Sequence, residues 1–121
     1  MSAEIIDTQD GILTLQVAGR LTESELADVQ QRVAAIIRSR GKARMLVLVD
    51  DFLGWERGGQ WNDFSFQEHN DAAIEKMAIV GAAWLKDDVL VFVGKGWRPF
   101  PIEYFVTGEA ALARAWLELP S

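Results

Sequence analysis

The sequence predicts an α/β domain, a mixed and mainly parallel five-stranded sheet with four helices, in the order β-β-α-β-α-β-α-β-α. Three observations lead there. Asp10-Gly11 separates two short apolar runs and signals an opening hairpin. Thr22 to Ser39 carries the caps and spacing of an amphipathic helix. Met45 to Val49 is apolar at every position, as befits a parallel strand covered on both faces. With 121 residues the chain is one domain, 1–121, able to bury roughly two-thirds of its unfolded surface.

Taken in order, Glu4-Ile5-Ile6 and Ile12 to Ala18 form the arms of the hairpin. In the second arm Leu13, Leu15 and Val17 share one face; Ile12, Thr14 and Gln16 share the other. The first helix starts with a capping box, Thr22 with Glu25, and a hydrophobic staple, Leu21 with Leu26. Leu26, Val29, Val33, Ile36 and Ile37 make its buried stripe, and Gly41 supplies a left-handed stop. After the Met45–Val49 strand, Asp50-Asp51 opens a loop running through Gly59. A second helix is expected over about Gln60 to Ile74, with Trp61 and Phe64 inward and an exposed polar middle, Gln67 to Asp71. Met77 to Val80 reads as a short strand closed by Gly81, and Ile102 to Val106 as the last strand. Thr107 is placed to cap a final helix, Glu109 to Leu119, with Leu112, Ala113, Trp116 and Leu117 inward.

Trp84 to Phe100 is the ambiguous stretch. Val89 to Val93 has the composition of a buried strand, but only Gly81 to Asp88 would separate it from the preceding strand. A parallel crossover needs ~10–12 residues or more. Read as a helix over about Ala83 to Gly94, the stretch becomes the crossover itself. Leu85, Val89, Phe92 and Val93 then face the sheet, while Trp84, Leu90 and Val91 fall away from it. So much outward apolar area means either that a ligand, a partner or a bilayer surface covers it, or that the helix sits deeper than a typical crossover. Gly81 and Gly94 to Gly96 are candidate hinges.

Composition excludes several functions. The net charge of −6 opposes nucleic-acid binding. The denser cations Arg38, Arg40, Lys42 and Arg44 sit where a helix C-terminus attracts positive charge. No cysteine is present, so there is no disulfide, thiolate nucleophile or zinc finger. No secretory leader or uncharged run of the ~18 residues needed for a membrane span is seen, and a cytoplasmic location is expected. Asp50-Asp51 lacks the further oxygen ligands of a metal site. The sole histidine, His69, has no triad signature, and Gly54, Gly58 and Gly59 lack phosphate-loop spacing. Neither catalytic residues nor a cofactor or metal is expected.

The landmarks Gly19-Arg20-Leu21-Thr22, Leu48-Val49-Asp50-Asp51-Phe52-Leu53-Gly54-Trp55, Trp61-Asn62-Asp63-Phe64, Ala78-Ile79-Val80-Gly81 with Trp84, Trp97-Arg98-Pro99-Phe100, Tyr104-Phe105 and Ala113-Arg114-Ala115-Trp116-Leu117 follow one another across nearly the whole chain. In that order they resemble the SpoIIAA-like family of the STAS fold, a bacterial resemblance. The anti-sigma-factor antagonists of that fold carry a phosphorylatable Ser after the central strand. Here Asp50-Asp51-Phe52-Leu53-Gly54 has no hydroxyl, so no phospho-switch is implied. The resemblance points instead to small relatives in shape of CRAL-TRIO lipid-binding domains.

The expectation is therefore a non-enzymatic module that binds a lipid or other apolar or amphipathic molecule, with peripheral contact at the inner membrane face. The alternative is an interaction or regulatory module acting through a homodimer or partner interface. The candidate ligand-binding residues are Phe52, Trp55, Trp61, Phe64, Trp84, Leu85, Val89, Leu90, Phe92, Trp97 and Phe100.

Overall fold

The computed structural model describes residues 3–8, 11–55, 69–96 and 98–120. Five strands form one sheet in sequential order: β1 (Ala3–Asp7), β2 (Ile12–Leu21), β3 (Ala43–Trp55), β4 (Ile74–Gly81) and β5 (Ile102–Val106). β1 and β2 pair antiparallel, in the expected hairpin, and the other three pairings are parallel. The described crossovers, from β2 to β3 and from β4 to β5, lie on the same face of the sheet, as right-handed connections between successive parallel neighbours must. α1 (Glu23–Arg40) and α2 (Lys86–Val93) cover that face, which we call the upper one. α3 (Ala110–Glu118) follows β5 and packs beneath the lower face.

The described residues hold three α-helices, against the four expected. Most of the expected helix over 60–74 lies outside them. Of its end, residues 69–70 are helical, Asp71–Ala73 form a 3-10 turn, and Ile74 already belongs to β4.

Local chemistry accounts for the rest. Thr22 is the N-cap of α1 and its Oγ1 accepts from the Glu25 amide at 3.2 Å. At the other end the Gly41 amide donates to Ile37 O at 2.7 Å. Val29, Val33 and Ile37 bury the helix stripe against Leu13, Leu15, Met45 and Val49 of the sheet. The alternate residues Ile12, Leu46, Ala78 and Val80 point down to Ala113 and Leu117. β3 is thus apolar on both sides because both sides are covered.

The ambiguous stretch is a helix. A 3-10 turn, Ala83–Leu85, leads into α2, which ends in a Schellman motif: Gly94, at φ 80°, donates to Val91 O and Lys95 to Leu90 O. Leu85 and Val89 are buried as expected, but Leu90 also packs against the core instead of facing away. Gly81 is less a hinge than a point of close approach. A Cβ there would lie 2.7 Å from the Tyr104 hydroxyl, which crosses it to donate to Ala82 O at 2.6 Å.

Three further expectations change. Thr107 does not cap α3; Glu109 occupies the N-cap, and its carboxylate instead accepts from the Val106 amide. Leu112 is exposed, since α3 turns only Ala113, Trp116 and Leu117 to the sheet. Asn70 and Asp71 are buried, not solvated. Asp71 pairs with Arg98, whose Nη2 and Nε donate to its two oxygens at 2.6 and 3.0 Å. That two-point ion pair is what allows both charges to leave water.

Candidate functional site

The segment 50–55 was expected to be loop, yet it continues β3. Gly19, Arg20 and Leu21 of β2 supply its pairing partners, with register shifts on either side of Gly19. The pairing runs Ala18 with Asp50, Gly19 with Phe52 and Arg20 with Gly54, so Asp51 and Leu53 are each extra on β3. Asp51 adopts φ 47°, the left-handed conformation of a bulge residue. Side chains in a regular strand alternate, so Val49, Phe52 and Trp55, spaced by three, could not share a face. Each bulge shifts the alternation by one residue. Two bulges therefore turn first Phe52 and then Trp55 to the upper face, where both join the core that contains Val49.

The result is an aromatic link between the end of β3 and α2. Phe52 meets Trp55 edge-on with ring centroids 5.0 Å apart, and Trp55 meets Phe92 at 5.0 Å in a tilted arrangement. Behind this link lies an apolar cavity of about 220 Å³. Its floor is the upper face of the sheet, with Leu15, Val17, Met45, Val47, Val49 and Met77. Leu26, Val29 and Val33 of α1 form one side, and Val89, Phe92 and Val93 of α2 the other. Glu23, Gln30 and Arg98 are the polar wall residues.

Electrostatically the cavity is quiet. Arg98 is committed to Asp71 and to Val93 O, which Nη1 reaches at 3.2 Å, and its guanidinium stacks 4.7 Å from the Phe100 ring. Among buried side-chain nitrogens and oxygens of the described residues, Trp55 Nε1 alone has no hydrogen-bond partner. Burial pushes the Tyr104 phenol up from its ordinary value, but Tyr104 is not among the wall residues.

Of the sequence-predicted site residues, Phe52, Trp55, Val89 and Phe92 line the cavity together. Leu85 and Phe100 are buried in the same core without being among its walls, and Leu90 packs against that core from outside. Trp84 projects away, 76% exposed. Trp61, Phe64 and Trp97 lie outside the described residues. Sequence reasoning missed the contribution of α1 and of Arg98. The stripe on α1 was legible, but only as core.

The other candidates are ordinary. Asp50 and Asp51 are exposed, and Gln16 reaches Asp50 at 3.4 Å. No group of three or more His, Cys, Asp or Glu residues among those described could hold a metal ion. Two cations of the basic cluster hold backbone carbonyls. Arg40 donates to Thr8 O, and Arg44 donates to the carbonyls of Leu117 and Leu119 at the end of α3. No described helix is long and apolar enough to cross a membrane.

This architecture, a hairpin leading into a parallel sheet with helices on both faces, defines a STAS-like module. The model of the SpoIIAA-like family matches residues 12–118, and the chain belongs to that family. Among solved structures it is similar to a DUF3478-family protein with a SpoIIAA-like fold from Shewanella loihica PV-4. That similarity has a TM-score of 0.64 at 19% identity and covers 95% of this chain and 91% of the other, a likeness of fold. No curated protein matches the chain.

Proposed function

We propose that this protein is a non-enzymatic binding module that takes an apolar or amphipathic small molecule between α1, α2 and the sheet. The cavity carries this reading. It is lined almost wholly by aliphatic and aromatic side chains, and ligand sites are concave, mostly apolar and furnished with few polar groups. α2 is the short element over it, anchored by Leu85 and Val89, with Phe92 at the threshold between core and solvent. Native mass spectrometry of protein purified without detergent should detect a small molecule carried at one per chain. After its removal, 1-octanol should change tryptophan emission saturably, because Trp55 is a wall residue. No adduct and unchanged emission would overturn the reading.

The outer side of α2 favours a second role. Trp84 and Val91 are 76% and 80% exposed. An exposed tryptophan beside an exposed valine suits a bilayer surface, or a partner or second copy in an interaction module. Sedimentation across micromolar concentrations separates these: a single monomeric species removes the homodimer.

A further inference from the structure

Resting on that binding reading, we infer that the ligand carries a neutral hydrogen-bond acceptor, a carbonyl, ester or ether-type oxygen, set against Trp55 Nε1. An indole N–H can only donate. Buried amides, indoles and hydroxyls are almost always paired, and an unpaired one in a folded protein asks for an explanation. Trp55 Nε1 is the one such side-chain atom among the described residues, and Trp55 stands in the cavity wall between Phe52 and Phe92. Nε1 itself has almost no accessible surface, so the ligand oxygen we infer meets it as the indole turns toward the cavity.

The charge state follows from the other polar walls. Arg98 is the only cation among the described residues of the cavity wall, and its side chain is 5% exposed, held at two points by Asp71 and at a third by Val93 O. Its charge is already matched. Glu23 adds a carboxylate to the wall. A carboxylate or phosphate head would therefore lose its water without finding a counter-charge. A cationic head would leave the indole N–H unpaired, having no acceptor to offer. A neutral oxygen meets both conditions.

Size narrows the class further. The cavity of about 220 Å³ is roughly half as large again as the ~150 Å³ engineered cavities that accept benzene, which suits roughly nine non-hydrogen atoms. The enclosed part of the ligand is thus a small neutral molecule or the carbonyl-bearing end of a longer one.

Three probes of equal heavy-atom count test this: acetophenone with a neutral acceptor, cumene with none, and benzoate with a charged one. Indole signals are followed by ¹H–¹⁵N NMR, that of Trp55 being identified by its loss in Trp55→Phe. Acetophenone should move the Trp55 signal downfield as the N–H gains a partner. Cumene should bind without that shift, and benzoate should leave the spectrum unchanged at the same concentration. In Trp55→Phe the affinity for acetophenone relative to cumene should fall about 3- to 10-fold, the worth of one neutral hydrogen bond. Should that variant not fold, the wild-type shifts decide alone. An unchanged affinity ratio, equal shifts for cumene and acetophenone, or benzoate binding as tightly as acetophenone would overturn the inference. If neither cumene nor acetophenone binds, the cavity reading itself falls.

Discussion

The two faces of the sheet are built to different standards. Below, α3 is the one described helix over β3 to β5, and Ala78, Ala113 and Leu117 are wholly excluded from solvent. The carbonyls at the end of α3 are met by buried Lys76, whose Nζ donates to Trp116 O and Leu119 O at 3.0 and 2.8 Å and lies 5.0 Å from the Trp116 ring. Helix ends leave carbonyls unpaired, and cations there satisfy both hydrogen bonding and the helix dipole. Above, a larger core under the two described helices α1 and α2 holds a cavity and an indole N–H without an acceptor. Close packing is the rule in protein interiors. The cavity is the exception among the described residues, and it is why we propose that the upper face binds.

The contrast can be broken most strongly at the ion pair of the upper face. Asp71→Ala leaves Arg98 buried without its counter-charge, which should cost about 3–5 kcal/mol in urea unfolding. Replacing both partners with apolar residues should recover much of that loss, because no bare charge then remains.

Enlarging a side chain tests packing directly. Ala113→Leu forces bulk between α3 and the sheet and should destabilise by about 1–3 kcal/mol. Val47→Leu adds one carbon, against three in Ala113→Leu, on the upper face of β3, where the cavity has room. It should be neutral or stabilising by up to about 1 kcal/mol. Equal losses from the two would mean that the faces are packed alike.

The smallest effect concerns Tyr104, the only tyrosine. Its folded-state pKa lies above the ordinary value because burial disfavours the phenolate, and the hydroxyl donates to Ala82 O. Above pH about 10 the unfolded chain loses this proton first, so the folded state holds more protons and stability falls as pH rises. Subtracting the pH profile of Tyr104→Phe should isolate a shallow decline that begins near pH 10.

Much of the fold could be read in advance because its signals are local. The Thr22–Glu25 cap, the stripe from Leu26 to Ile37 and the alternation in β2 each specify their element within a few residues. The α2 assignment needed one topological step more: too few residues separate Gly81 from Val89 for a strand crossover. The segment from Asp50 to Trp55 could not be read this way. Asp and Gly favour turns, and only the pairing with Gly19 to Leu21, distant in sequence, makes the segment a bulged strand.

The same division holds for the site. Phe52, Trp55, Val89 and Phe92 could be named from the sequence as aromatic and apolar residues in a suggestive region. Their convergence with α1 on one cavity could not, because it depends on two bulges and on which face each crossover takes. By itself the sequence determined the three described helices, the parallel core, the lack of a catalytic signature and the family resemblance, since these follow from composition and short-range pattern. The tertiary structure alone decided that Asp71 belongs to Arg98, that Trp84 stays outside, and that the Trp55 indole N–H is buried without an acceptor. Those are properties of neighbours brought together across long stretches of chain, and no periodicity encodes them.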